Sequence, residues 1–175
     1  MKKKFNKRIG ILGGTFDPAH IGHIKISKIA KKKFKLNKII WAITNKNPFK
    51  KKTKFNLLER LKYAKKVNIK NRFIKVIFYE NKIKSKKTVD LINFIKKSEN
   101  TKNIYFIMGA DNLINFHKWS KWKEIINNCK ILVFDRKGYK LKAIKSLAYK
   151  KFNNKGLFFV SFKKVNISSS QLRKI

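Results

Sequence analysis

Six short apolar runs punctuate the chain: Ile9–Leu12, Ile39–Thr44, Phe73–Phe78, Ile104–Met108, Ile131–Phe134 and Leu157–Phe162. Several are continuous rather than alternating, which is the pattern of strands covered on both faces. Between them, apolar positions recur at helical spacing. Gly22, Ile26, Ile29 and Ala30 follow Pro18, which stands where a first helical turn would begin. Leu57, Leu58, Leu61 and Ala64 make a second stripe, and Val89, Ile92 and Ile95 a third. Further helices are predicted over Trp119–Asn127 and Leu141–Lys150. This alternation predicts an α/β fold, a Rossmann-like, doubly wound and mainly parallel sheet with helices on both faces and right-handed crossovers. No internal repeat or linker interrupts it, so a single domain over residues 1–175 is expected. Lys46–Lys54, punctuated by Pro48, reads as a loop of the kind that serves as a mobile lid.

Charge complicates this picture. The formal net charge is +39, which invites a nucleic-acid partner. Of the 47 basic residues, however, only Arg8, Arg60, Arg72, Arg136 and Arg173 are arginine, the residue that specific phosphate and base readers favour. Lysine is instead spread over the whole length beside much Asn, Ile and Phe, so solvated lysine faces are expected and no specific nucleic acid. The single cysteine, Cys129, excludes an internal disulfide and fits a reducing cytoplasm. It falls where a helix end runs into a buried strand, so a packed thiol is expected there. The basic start MKKKFNKR resembles the head of a signal peptide, but Gly13 and Gly14 break the apolar run after it. No stretch approaches the ~18 apolar residues of a membrane span.

Candidate chemistry concentrates after the first predicted strand, in Gly13–His23, GGTFDPAHIGH. Open α/β sheets bind ligands beyond the carboxyl ends of their strands, and this turn leaves the first strand at that edge. Glycines let backbone N–H groups approach phosphate oxygens, and the following helix presents its positive end. His20 and His23, three residues apart, share a face of that turn and can donate to phosphate oxygens as charge builds. A metal centre is the weaker reading, because no Cys, His or acidic cluster completes a shell. Asp17 is expected to cap or brace the turn.

In this context His20-Ile21-Gly22-His23 resembles the HxGH signature of the nucleotidyltransferase superfamily. Class I aminoacyl-tRNA synthetases share such a motif but are far longer and carry a KMSKS-type lysine loop that has no clear counterpart here. Ile167-Ser168-Ser169-Ser170-Gln171-Leu172-Arg173 resembles the superfamily's ISSTxIR element, with Ser170 and Leu172 in place of the commoner Thr and Ile. The stretch Met108-Gly109-Ala110-Asp111-Asn112-Leu113, continuing through Phe116, Trp119, Trp122 and Ile125, resembles the GADNL segment of bacterial nicotinate-nucleotide adenylyltransferases. Phe134-Asp135-Arg136-Lys137-Gly138 resembles that family as well, and Asn47-Pro48-Phe49-Lys50 resembles its substrate loop, usually Pro-Pro-His-Lys or Asn-Pro-Leu-Lys, so the resemblance covers nearly the whole chain. Family members commonly continue with a further helix where this sequence stops at Ile175, so a C-terminus shorter than usual is expected.

The resemblance implies transfer of the adenylyl group of ATP to nicotinate mononucleotide, giving deamido-NAD and pyrophosphate. It places ATP against Gly13, Gly14, Thr15, Phe16, His20 and His23, with Gly109 and Asp111 at the adenosine. Ile167, Ser168, Ser169, Ser170 and Arg173 would form a second phosphate clamp. Trp119 would stack on the pyridine ring, and Asn47 and Lys50 would lie on the acceptor loop. Thr88 would receive the nicotinate carboxylate, although Lys87 and Leu91 replace the usual Tyr and Thr around it. Trp122 is expected to pack, and His117 to be exposed and incidental. The acceptor phosphate is already an anionic nucleophile, so no general base is required. His20, His23, Arg173 and a Mg²⁺ carried with ATP would neutralise the departing pyrophosphate, with Lys50 as a helper. A homo-oligomer is compatible with the sequence and a membrane partner is not expected. Two alternatives stay open: an adenylyltransferase for nicotinamide mononucleotide or phosphopantetheine, and a noncatalytic basic nucleic-acid-binding protein.

Overall fold

A computed structural model describes residues 7–47 and 52–161. The chain runs β1 (Arg8–Gly14), α1 (Ile21–Phe34), β2 (Lys38–Ile43), α2 (Leu57–Val67), β3 (Ile74–Phe78), α3 (Glu80–Ile83) and α4 (Thr88–Ser98). It continues through β4 (Asn103–Gly109), α5 (Ala110–Ile114), a 3-10 turn at Phe116–Lys118, α6 (Trp122–Asn128), β5 (Lys130–Phe134), α7 (Lys140–Ile144), α8 (Leu147–Phe152) and β6 (Leu157–Val160). The six strands join in one sheet of order β3-β2-β1-β4-β5-β6, and every pairing is parallel. The order reverses between β1 and β4, where Ile11 pairs with Ile40 on one side and Phe106 on the other. That reversal opens a crevice beyond the carboxyl ends of β1 and β4.

The continuous apolar runs are explained by two cores, one on each face. Ile9, Ile11, Ile40, Phe106 and Val133 point to the side covered by Val89, Ile92 and Ile95 of α4 and by α5 to α8. Leu12, Ile39, Trp41, Ile107 and Leu132 point to the other, covered by Ile24 and Ala30 of α1 and Ala64 of α2. Neighbours in a strand therefore serve opposite layers, and both must be apolar. Each fully buried aliphatic side chain contributes about 1.5–3 kcal/mol.

Several predicted boundaries move. Pro18 is not in the first helical turn: it follows a cis bond from Asp17, and α1 starts at Ile21 with His20 as its N-cap. The helix predicted from Trp119 begins only at Trp122, because Trp119 is extended and Lys121 takes a left-handed backbone at φ 53°. The helix predicted over Leu141–Lys150 is two helices. Ser146 stops the first, donating to Ala143 O at 2.6 Å, and caps the second by accepting from Tyr149 N. The last predicted strand forms as Leu157–Val160, and Phe162 lies outside the described residues. Helices α3 and α5, at 4 and 5 residues, are too short to show a period in sequence.

Cys129 closes α6 as its C-cap, buried, with its Sγ directed at Ile125 O. Burial pushes the thiol up to about 12. Among the described residues, no helix is long and apolar enough to cross a membrane.

Candidate active site

The turn beyond β1 is built from small residues and a buried aromatic. A Cβ on Gly13 would meet the Phe106 ring at 3.2 Å, so the strand passes close to its neighbour there. Phe16 adopts a left-handed backbone at φ 47° and drives its ring into the core, where it stacks on Trp41 at 4.8 Å and touches His23 at 4.8 Å. Of the predicted ATP contacts, Phe16 can therefore offer only main-chain atoms. Asp17 braces the turn as expected: its buried carboxylate accepts from the main-chain N–H of Lys54 at 2.9 Å and of Phe55 at 3.0 Å.

The two histidines form the capping box of α1. Gly22 N–H donates to His20 Nδ1 at 3.1 Å, and His20 N–H donates to His23 Nδ1 at 3.2 Å. Both Nδ1 atoms are thus acceptors, which places the proton of each neutral ring on Nε2. The rings lie 3.9 Å apart. Trp41, fully buried, supports them from below: its indole N–H donates to Ser27 Oγ at 2.9 Å, and Ser27 donates to His23 O at 2.8 Å. Burial, and secondarily the Arg136 guanidinium, lower the His20 pKa to about 4, so this imidazole is neutral at physiological pH.

Across the crevice, Gly109 ends β4 and caps α5. A Cβ there would lie 2.5 Å from Asp111 Oδ1, so glycine is required for the carboxylate to fold back over the strand end. Asp111 is held by Arg136 at 2.6 Å. Trp119 is half-buried, edge-on to Phe106 at 6.1 Å and to Phe116 at 5.3 Å. Trp122 packs between Phe116 and Phe152, as expected. His117, expected to be exposed, is partly buried with an enclosed Nδ1, because the 3-10 turn tucks the ring inward. Asn47 follows β2, Thr88 opens α4 after β3, and Trp119 follows β4, so all three leave the same edge of the sheet as the histidines. Lys50, Ile167, Ser168, Ser169, Ser170 and Arg173 lie outside the described residues.

Two site-edge residues escaped the motif reading, Arg60 and the partner role of Arg136. The available signal was scarcity: where lysine is the default cation, an arginine flags a position that needs a planar fork.

A parallel sheet of order 3-2-1-4-5-6 with a histidine-capped turn at the switch point has the build of a nucleotide-binding site, and the comparisons give its class as nucleotidyltransferase. The family model described as cytidylyltransferase-like matches residues 11–175. A probable nicotinate-nucleotide adenylyltransferase of Pelagibacter ubique is 64% identical over 96% of this chain and 93% of its own. One from Brucella suis is 31% identical over 95% of this chain and 94% of its own. The chain belongs to the nicotinate-nucleotide adenylyltransferase family within that class. The solved Plasmodium falciparum nicotinic acid mononucleotide adenylyltransferase complexed with NaAD shares the fold, with a TM-score of 0.70 at 22% identity, over 96% of this chain and 83% of that one.

Proposed function

We propose that this protein transfers the adenylyl group of ATP to nicotinate mononucleotide, yielding deamido-NAD and pyrophosphate for NAD biosynthesis, as one cytoplasmic nucleotidyltransferase domain. The observation that carries this reading is the reciprocal His20/His23 cap at the sheet's switch point, in a chain of this family. Two Nε2–H donors presented from one helix end suit the α- and β-phosphate oxygens of a bound nucleotide. Neutral donors in fixed orientation stabilise charge developing on pyrophosphate without a proton having to move. Gly13, Gly14 and Thr15 would supply main-chain groups beside them, and Asp111, held by Arg136, would face the adenosine. Ile167, Ser168, Ser169, Ser170 and Arg173 would clamp the phosphates from the other side.

The acceptor phosphate attacks the α-phosphorus in line while the bond to the β-phosphate oxygen breaks, and catalysis is then mostly alignment. Magnesium enters with ATP as part of the substrate. Among the described residues, no three His, Cys, Asp or Glu gather to hold a resident ion. Trp119, steadied by Phe106 and Phe116, offers its face to the pyridinium ring. The first main-chain N–H groups of α4, beginning at Thr88, suit the nicotinate carboxylate. Asn47 and Lys50 would flank the acceptor.

Pyrophosphate release measured with ATP–Mg²⁺ and nicotinate mononucleotide, nicotinamide mononucleotide or phosphopantetheine tests the assignment. The acid mononucleotide should give the highest kcat/KM. A preference for either other acceptor would overturn it.

A further inference from the structure

Arg60 lies in α2, 2% exposed, outside every motif that carries the family resemblance. Among the described residues its guanidinium hydrogen-bonds only main-chain carbonyls, while the charges of Asp17 and Glu80 act on it from nearby. Nη1 donates to Thr15 O at 2.6 Å and to Thr44 O at 2.8 Å. Nη2 donates to Asn45 O at 3.1 Å, and Nε to Phe55 O at 3.1 Å. Three separate segments meet at this one side chain: the turn beyond β1, the loop leaving β2 and the loop entering α2.

Two carboxylates close the cluster. Asp17 holds the main-chain N–H groups of Lys54 and Phe55. Glu80, opening α3, accepts from Thr44 Oγ1 and from Asn45 N–H at 3.1 Å. A buried cation is costly unless every donor finds a partner, and an apolar residue would pack α2 without that cost. A planar fork does what an apolar side chain cannot: it sets four carbonyls from three segments at fixed positions relative to one another. Lysine, a single point of charge, cannot span them.

These segments carry different substrates under the proposed function, on which this inference rests. Thr15 belongs to the turn that would cradle the ATP phosphates, and Asn45 precedes Asn47 on the acceptor loop. We propose that Arg60 is a positioning residue that locks the phosphate turn to the acceptor loop, so that the attacking phosphate and the α-phosphorus of ATP stay in line. Misplacement by about 1 Å costs on the order of a hundredfold in rate for such reactions.

The test compares wild type with Arg60→Lys and with Ile95→Val, a buried truncation on the opposite face of the sheet. Steady-state kcat and both KM values are measured alongside amide hydrogen exchange over residues 44–47 and 52–55. Arg60→Lys should stay folded and lose at least about tenfold in kcat, with each KM changing less than kcat. Exchange should quicken in both segments and not in α4. Ile95→Val should keep its kcat at a similar loss of melting temperature. A folded Arg60→Lys with kcat within twofold of wild type would overturn the proposal, as would an equal fall in kcat for Ile95→Val. Should Arg60→Lys fail to fold, Glu80→Ala, which removes the oxygen accepting from Thr44 Oγ1 and Asn45 N–H at the partly exposed rim, carries the test: a fall in kcat supports the lock, and an unchanged kcat overturns it. If wild type makes no dinucleotide, the acceptor assignment fails separately. The lock is then judged by whether ATP slows exchange at residues 44–47 in wild type and not in Arg60→Lys; equal slowing in both would overturn it.

Discussion

Gly109→Ala should change sign according to what stands at position 111. In the native background the new Cβ would lie 2.5 Å from Asp111 Oδ1 and 3.7 Å from its Cγ, and it meets no other described side chain or backbone within 4 Å outside its chain neighbours. The carboxylate must therefore swing away from its 2.6 Å bond to Arg136. A charge-assisted hydrogen bond contributes about 1.5–3 kcal/mol. The Arg136 side chain is 39% exposed, so solvent screens the pair and about 1–1.5 kcal/mol is the appropriate figure. Opposing this, alanine at φ −80° is unstrained and lowers the entropy of the unfolded chain, worth about 0.4–1 kcal/mol. The net is a loss of up to about 1 kcal/mol, or about 3 °C in Tm for a chain of this size. With Asp111→Ala already present the clash is gone, and Gly109→Ala should stabilise by about 0.4–1 kcal/mol. Urea unfolding of the four proteins of this cycle, at constant m, measures both steps. An equal cost in the two backgrounds would mean that the added methyl meets something other than Asp111.

Three further outcomes follow from the site and its surroundings. Trp119→Ala should raise the KM for nicotinate mononucleotide about 5- to 30-fold, equivalent to about 1–2 kcal/mol of ring stacking, with the KM for ATP little changed; an unchanged acceptor KM would return this indole to a packing role. His20 titrates near 4 when folded and near 6.5 when unfolded, so between those values only the unfolded chain takes up its proton. Its contribution to stability is therefore complete above 6.5 and is lost as pH falls towards 4. The urea midpoint should drop more from pH 7 to 4.5 in wild type than in His20→Gln, and equal drops would contradict the assigned shift. Cys129, buried and pushed up to about 12, should react with a thiol reagent at pH 8 only as fast as the protein unfolds; labelling at the rate of a free thiol would show that it is not packed as described.

The strands were legible because a doubly covered parallel sheet demands apolar residues at consecutive positions, as in Ile104–Met108. The long helices were legible because their buried stripes, such as Val89, Ile92 and Ile95, repeat at the helical period. The misplaced boundaries depend on single residues whose effects are not periodic. Lys121 adopts a left-handed backbone, Ser146 spends its hydroxyl on two helix ends, and His20 rather than a residue near Pro18 caps α1. Spacing alone paired His20 with His23, yet the tautomer of each ring rests on which backbone N–H its Nδ1 accepts. The Arg60 cluster could not be read at all, since its partners come from positions 15, 44, 45 and 55 and meet only after the sheet has formed. Arg136 and Asp111, 25 residues apart, are brought together in the same way at the ends of β5 and β4.

If the histidine-capped turn carries out adenylyl transfer, His23→Ala should remove that chemistry and leave the fold in place. Deamido-NAD formed from ATP–Mg²⁺ and nicotinate mononucleotide should be robust in wild type. It should fall on the order of a hundredfold or more in kcat in the variant, as when one preorganised donor to a developing charge is removed, with far-UV circular dichroism unchanged. Wild-type turnover retained in a folded His23→Ala protein would show that this turn does not carry the transfer.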